Sequence, residues 1–174
     1  MGKYVQNFAP FFIILIAVSA RLVPHTPNFT PIAATALFGA VYLPKKYAFI
    51  IPVSAMFISD IFLGFHSTMI YVYGSFILTV FIGFWIRKNK SFPNIIGASL
   101  VSSILFFLVT NAGVWIAGAY DRSIIGLWQS YVMGIPFFRP TILGDLFYTG
   151  VFFGGYELVK LIAKKHALAS ATKT

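Results

Sequence analysis

The sequence predicts an all-α integral membrane protein, a bundle of six transmembrane helices with both termini on the cytoplasmic side. Three observations predict it. Of the 174 residues 59% are hydrophobic and 18% aromatic while only 10% are charged, whereas soluble domains average about a quarter charged residues. A chain of this composition cannot cover its surface with polar groups, so its solvent is lipid. The apolar residues gather in six runs bounded by charges or turn residues. The cations stand at the ends of those runs, not in the dense surface clusters of a nucleic-acid binder, which excludes that class despite the formal net charge of +9. With no cysteine, the chain has no disulfide framework, thiolate nucleophile or Cys-ligated metal.

The runs are Tyr4 to Val23, Phe29 to Leu43, Tyr47 to Gly64, Thr68 to Ile86, Ile95 to Gly118 and Thr141 to Ile162. Crossing a hydrocarbon core of about 30 Å takes about 20 helical residues, and all but the second come close to that. The second spans a little over about 20 Å as a helix, which also fits a tilted or re-entrant half-span. Charge parity assigns it a crossing: six crossings put Lys3, Lys45, Lys46, Arg87, Lys88, Lys90, Lys160, Lys164, Lys165 and Lys173 on one side, ten of the 13 cations. The positive-inside rule makes that side cytoplasmic. The first run is read as a retained span, its alternative being a signal peptide that ends at Val18-Ser19-Ala20. Residues 1–163 form the transmembrane domain and 164–174 a frayed polar tail. The connection Ala119 to Pro140, rich in aromatic residues and ended by Pro136 and Pro140, is predicted to lie at the outer interface as an amphipathic helix or lid.

Ionisable and amide side chains within membrane depth tend to face cavities or each other. Here they collect toward the outer side and describe a polar, aromatic-rimmed bowl. Arg21 ends the first span, Asp60 lies near the end of the third and Asp145 near the start of the sixth. Asn111 and Trp115, four apart, share a face of the fifth, while Asp145 and Tyr148, three apart, share one of the sixth. In the segment from Arg21 to Pro31, three prolines forbid regular helix, giving a stiff loop from which His25 and Asn28 project. Arg139 adds an outer cation. Each has a plainer reading as well: Asn111 bonding a neighbouring helix, Trp115 as an interfacial anchor, His25 capping a helix, Asp145 as a helix N-terminal charge. Asp60 is placed either to meet a cation or to pair with Arg21 or Arg139. Ala36…Ala40 and Gly150…Gly154 permit close helix approach.

No catalytic residues and no cofactor or metal site are read from the sequence. There is no P-loop, no H-E-x-x-H and no G-x-S-x-G elbow, nor the paired broken helices of a secondary transporter.

Six short spans, an outward bowl, a long fifth-to-sixth connection and no ATPase resemble the substrate-binding S component of energy-coupling-factor (ECF) transporters. Arg21 to Phe38, Ser59-Asp-x-x-x-Gly64 and Thr110-Asn-x-Gly-Val-Trp115 further resemble a group of uncharacterised bacterial membrane proteins placed beside those components. The resemblance implies a multi-pass protein of the bacterial inner (plasma) membrane. It also implies capture of a vitamin-like or metabolite ligand, and a coupling transmembrane subunit with ATPases as partner or else transport without one. In S components an Ala-x-x-x-Ala pair on the first helix docks onto the coupling subunit; here the matching pair, Ala36 and Ala40, sits on the second span.

The preferred reading is therefore a non-enzymatic membrane protein that binds a small molecule through Arg21, His25, Asn28, Asp60, Asn111, Trp115, Arg139, Asp145 and Tyr148. The alternative is a structural or assembly protein whose outer polar groups form a closed lattice without a ligand. By side, Arg21, Arg122 and Arg139 balance Asp60, Asp121 and Asp145 outside, while the inner cations outweigh Glu157.

Overall fold

The computed structural model describes residues 3–171, with side chains from Pro10 to Lys165. Among the described residues the chain is entirely helical. Its helices are α1 (Lys3–Leu22), α2 (Ile32–Tyr42), α3 (Lys45–Leu63), α4 (Met69–Ile86), α5 (Phe92–Ile116) and α6 (Ile124–Thr149). A π-helical turn, Gly150–Gly154, carries α6 without a break into α7 (Gly155–Ala171). Four of these units, α3, α4, α5 and the continuous helix Ile124–Lys165, are long and apolar enough to cross a bilayer.

The polarity of the packing is that of a lipid-facing bundle. Large apolar side chains such as Phe62, Ile70, Trp85 and Phe92 stand exposed, while Thr35, Ser75, Thr79, Ser99, Ser102 and Thr149 are buried. Small hydroxyl residues let helices approach closely and bond their own backbones. Ser102 donates to the Ala98 carbonyl at 2.8 Å and Thr79 to the Ser75 carbonyl at 3.0 Å.

The core is α2. Every residue from Ile32 to Val41 is buried, and α1, α3, α4, α5 and α6 all pack against it. Glycine makes the closest approach possible: a Cβ on Gly83 of α4 would overlap Ala40 and come within 3.3 Å of the Leu37 backbone. Successive neighbours touch around this post, α1 with α3, α3 with α4, α4 with α5 and α5 with α6, but α1 and α6 do not touch among the described residues. Toward one end that seam is closed by the proline-rich connection of residues 23–31, whose Phe29 packs on Phe147 and Tyr148 with ring centroids 5.7 and 5.6 Å apart. Toward the other it is an apolar groove floored by Phe38 and walled by Phe12, Ile16 and Phe152. That second end carries the lysines: Lys90 lies 4.9 Å over the Tyr42 ring, and Lys160 pairs with Glu157 at 2.9 Å. It is the basic end below, the opposite one the far end.

One expectation is corrected, that for Ala119 to Pro140. The second run, read as shorter than a full-length span, is short in the structure as well. Its helix has 11 residues, about 16 Å, and the proline-rich connection occupies the rest of the path. Ala119 to Pro140 is not a lid: α5 and α6 are joined by Ala117–Ser123, and α6 starts at Ile124 with Pro136 and Pro140 inside it. The turn is closed locally, with Trp115 donating to the Asp121 carbonyl at 3.0 Å and the Ser123 hydroxyl accepting from the Gly126 amide at 3.1 Å. Proline is tolerated within a helix buried in lipid and protein because neighbouring groups re-satisfy the freed carbonyls. The tail from Lys164 continues as helix to Ala171; residues 172–174 lie outside the described part.

Candidate ligand-binding site

A cavity of about 270 Å³ lies in the far half between α4, α5, α6 and the proline-rich connection. α5 contributes Phe106, Phe107, Thr110, Asn111 and Val114, all within two turns of one broad face. α6 contributes Ser130, Gly134, Phe138 and Thr141, spaced four, four and three residues apart and so aligned along the helix. Val72 of α4 and Asn28 of the connection close the sides, and Tyr120 of the α5–α6 turn reaches in from the end.

The polar wall is held from behind. Asn111 donates from Nδ2 to the Phe107 carbonyl at 2.8 Å, and Ser130 donates to the Asn111 carbonyl at 2.5 Å. A side chain on Gly134 would strike the Asn111 amide, so the glycine is what lets that amide lie across the helix contact. Phe107 and Phe138 pack with centroids 4.7 Å apart. Asn28 adopts a left-handed backbone, φ 64°, a conformation asparagine tolerates better than most residues. Just beyond it the Phe29 backbone presses on α6, where a Cβ on Gly144 would come within 2.9 Å of the Phe29 Cα.

A second, narrow pocket of about 20 Å³, here called the neck, shares Asn28, Phe106 and Thr141 with this cavity and is lined further by Thr30, Phe76 and Asp145. Asp145 is 4% exposed. Its Oδ2 accepts from Ser103 Oγ at 2.7 Å.

Of the residues proposed from sequence, the structure thus places Asn28 and Asn111 on the cavity and Asn28 and Asp145 on the adjoining neck. Arg21 and Asp60 lie elsewhere, on the other side of α4. Arg21 Nη1 meets Asp60 Oδ1 at 2.8 Å and Ser59 Oγ at 2.5 Å, and Tyr73 donates to Asp60 Oδ2 at 2.8 Å. The helix repeat turns Val72 to the cavity and Tyr73 to this cluster. The remaining four do not line the cavity. His25 is exposed and its Nδ1 lies 2.6 Å from the Val23 carbonyl; Trp115 braces the α5–α6 turn; Arg139 is exposed; Tyr148 packs on Phe29. Thr110, Ser130 and Thr141 were missed by the sequence reading. Their signal was present as the stripe Ser130, Gly134, Phe138, Thr141, Asp145, but reading Pro136 and Pro140 as the end of a loop cut that stripe in two.

A family model matches residues 3–168, nearly the whole chain. The chain belongs to DUF6580, a family of unknown function. No curated protein and no solved structure matches it. Within this DUF6580 chain, Ala36 and Ala40, the pair that matches the S-component docking motif but sits on the second span, are fully buried against α3 and α4 and offer no surface to a partner.

Proposed function

We propose that the chain is a membrane-embedded small-molecule binding protein of the ECF S-component type. It would be a six-pass protein of the bacterial inner membrane, with the basic end in the cytoplasm and the far-end cavity facing outward. One observation carries the reading: a cavity of about 270 Å³ lined by Asn28, Thr110, Asn111, Ser130 and Thr141 among aromatic rings. Ligand sites are concave and mostly apolar with a few convergent polar groups, and polar groups at membrane depth face such spaces. The side-by-side rings of Phe106, Phe107, Phe137 and Phe138 suit a flat or hydrocarbon portion, and the amides and hydroxyls suit its polar edge. Arg21 and Asp60 neutralise one another and leave the ligand contact set. Any coupling subunit would use a surface other than Ala36 and Ala40.

The alternative, a polar lattice without a ligand, draws on the Arg21–Asp60–Tyr73 cluster, which is such a lattice. It does not account for the space beside Asn111.

Native mass spectrometry of gently extracted protein tests the proposal. A small molecule bound to the wild type and absent from a folded Thr110→Trp variant, whose indole fills the cavity, is the expected result. Wild type without any bound molecule in every mild detergent and in nanodiscs would sink it.

A further inference from the structure

Among the described residues, cations close to a carboxylate are confined to two pairs, Arg21 with Asp60 and Lys160 with Glu157. Asp145 has neither. It is buried 4% exposed in the middle of the α5–α6 contact, with Ser103 as its side-chain donor at 2.7 Å. A carboxylate in such a place is either neutral or compensated by a positive charge, because an isolated buried ion is heavily penalised.

The surroundings are arranged for a cation. The neck of about 20 Å³ ends on Asp145, and a space needs about 10–15 Å³ of this kind to hold one water-sized occupant. Its polar lining is Asn28, Thr30, Thr141 and the carboxylate, all of which offer oxygen. Thr141 gives its proton to the Phe137 carbonyl at 2.7 Å, so its hydroxyl presents lone pairs to the neck. Phe76 and Phe106, packed with centroids 5.3 Å apart, form the remaining wall and present ring surface, which also attracts cations. Asn28 is held there by its left-handed backbone and by the Phe29 contact on Gly144.

We propose that the neck between Asn28 and Asp145 is a binding site for one compact monovalent cation, either the ammonium head of a ligand whose body fills the cavity above or a sodium-sized ion bound beneath it. The inference rests on reading that cavity as a ligand site and names the charge its occupant brings. Hard oxygen donors with one carboxylate suit both sources, and the neck admits neither a quaternary ammonium nor an anion.

The test is thermal unfolding of the full chain in nanodiscs of zwitterionic lipid, with methylammonium, sodium or potassium chloride titrated against choline chloride at constant ionic strength. Wild type should show a saturable rise in midpoint with methylammonium or with sodium, and none with choline alone. A response to methylammonium only identifies the ammonium head of a ligand; a response to sodium identifies the ion. Asp145→Asn should abolish the response. Should Asp145→Asn not fold, Thr141→Val, which removes one neutral oxygen, should raise the half-saturating concentration about tenfold, the effect of losing roughly 1.4 kcal/mol of cation binding. Equal responses to all salts, or an unchanged response in the folded variants, overturn the proposal. If a molecule co-purifies with wild type and is excluded by Thr110→Trp while these titrations are flat, the ligand cavity stands and the cation site falls. A saturable cation response without any co-purifying molecule has the opposite meaning.

Discussion

Two carboxylates are buried to nearly the same depth, Asp60 at 1% and Asp145 at 4% exposure, yet their surroundings differ. Both oxygens of Asp60 are engaged at 2.8 Å, by Arg21 and by Tyr73. Asp145 has a single hydroxyl donor and lines a small pocket beside the cavity. The contrast separates two uses of buried charge within one bundle. On the α1–α3 side of α4 a complete cluster fixes helices to each other; on the α5–α6 side the carboxylate has one side-chain donor, which is what the proposed cation site would complete. The sequence offers both aspartates as ligand contacts and Asp60 also as half of an ion pair, because a position near a helix end does not say which partner the fold supplies.

Arg21→Ala should have the largest effect. It leaves Asp60 buried without its partner, a loss of about 3–5 kcal/mol, read by unfolding in detergent. The double change Arg21→Met with Asp60→Leu should recover most of it, since an apolar replacement of a buried pair is often neutral. Tyr73→Phe, which removes one hydrogen bond to a charged group, should lose about 1.5–3 kcal/mol by the same measurement. Asn111→Ala removes a side chain bonded mainly to its own helix and should change stability by about 1 kcal/mol, while lowering occupancy of the co-purifying molecule in native mass spectra. The smallest change in stability belongs to Asp145→Asn, which keeps an oxygen for Ser103: less than about 1 kcal/mol and of either sign. A destabilisation by Asp145→Asn as large as that of Arg21→Ala would erase the contrast and make both aspartates structural.

The bundle was legible where hydrophobic length and terminal charge carry the information. Lys45, Arg87 and Lys90 bracket α3, α4 and α5 close to where the helices begin and end, and the short second run does yield a short helix. Legibility failed where membrane context overrides local chemistry. Pro136 and Pro140 break helices in water, so the sequence places the first half of α6 in a separate interfacial helix or lid and parts Ser130 and Gly134 from the sixth span. The pairing of Asp60 was foreseen as one choice between Arg21 and Arg139. What decides between them is the parallel packing of α1 on α3, which sets Ala17 beside Ala55 and Arg21 beside Ser59. No spacing along the chain encodes that contact, 39 residues apart.

The all-round burial of α2 also constrains how the protein is made. Machinery that releases helices into lipid one at a time favours segments of at least about 17 apolar residues, and α2 has 11. On the six-pass reading proposed above it would enter as the passenger of α1 and α3, and its packing surface is incomplete until α4 arrives with Gly83. The innermost element is thus the one that depends most on its neighbours during synthesis. A larger side chain at Ala40 or Gly83 should therefore show itself in cells as a shortage of folded protein and not as altered behaviour of a normal amount of protein.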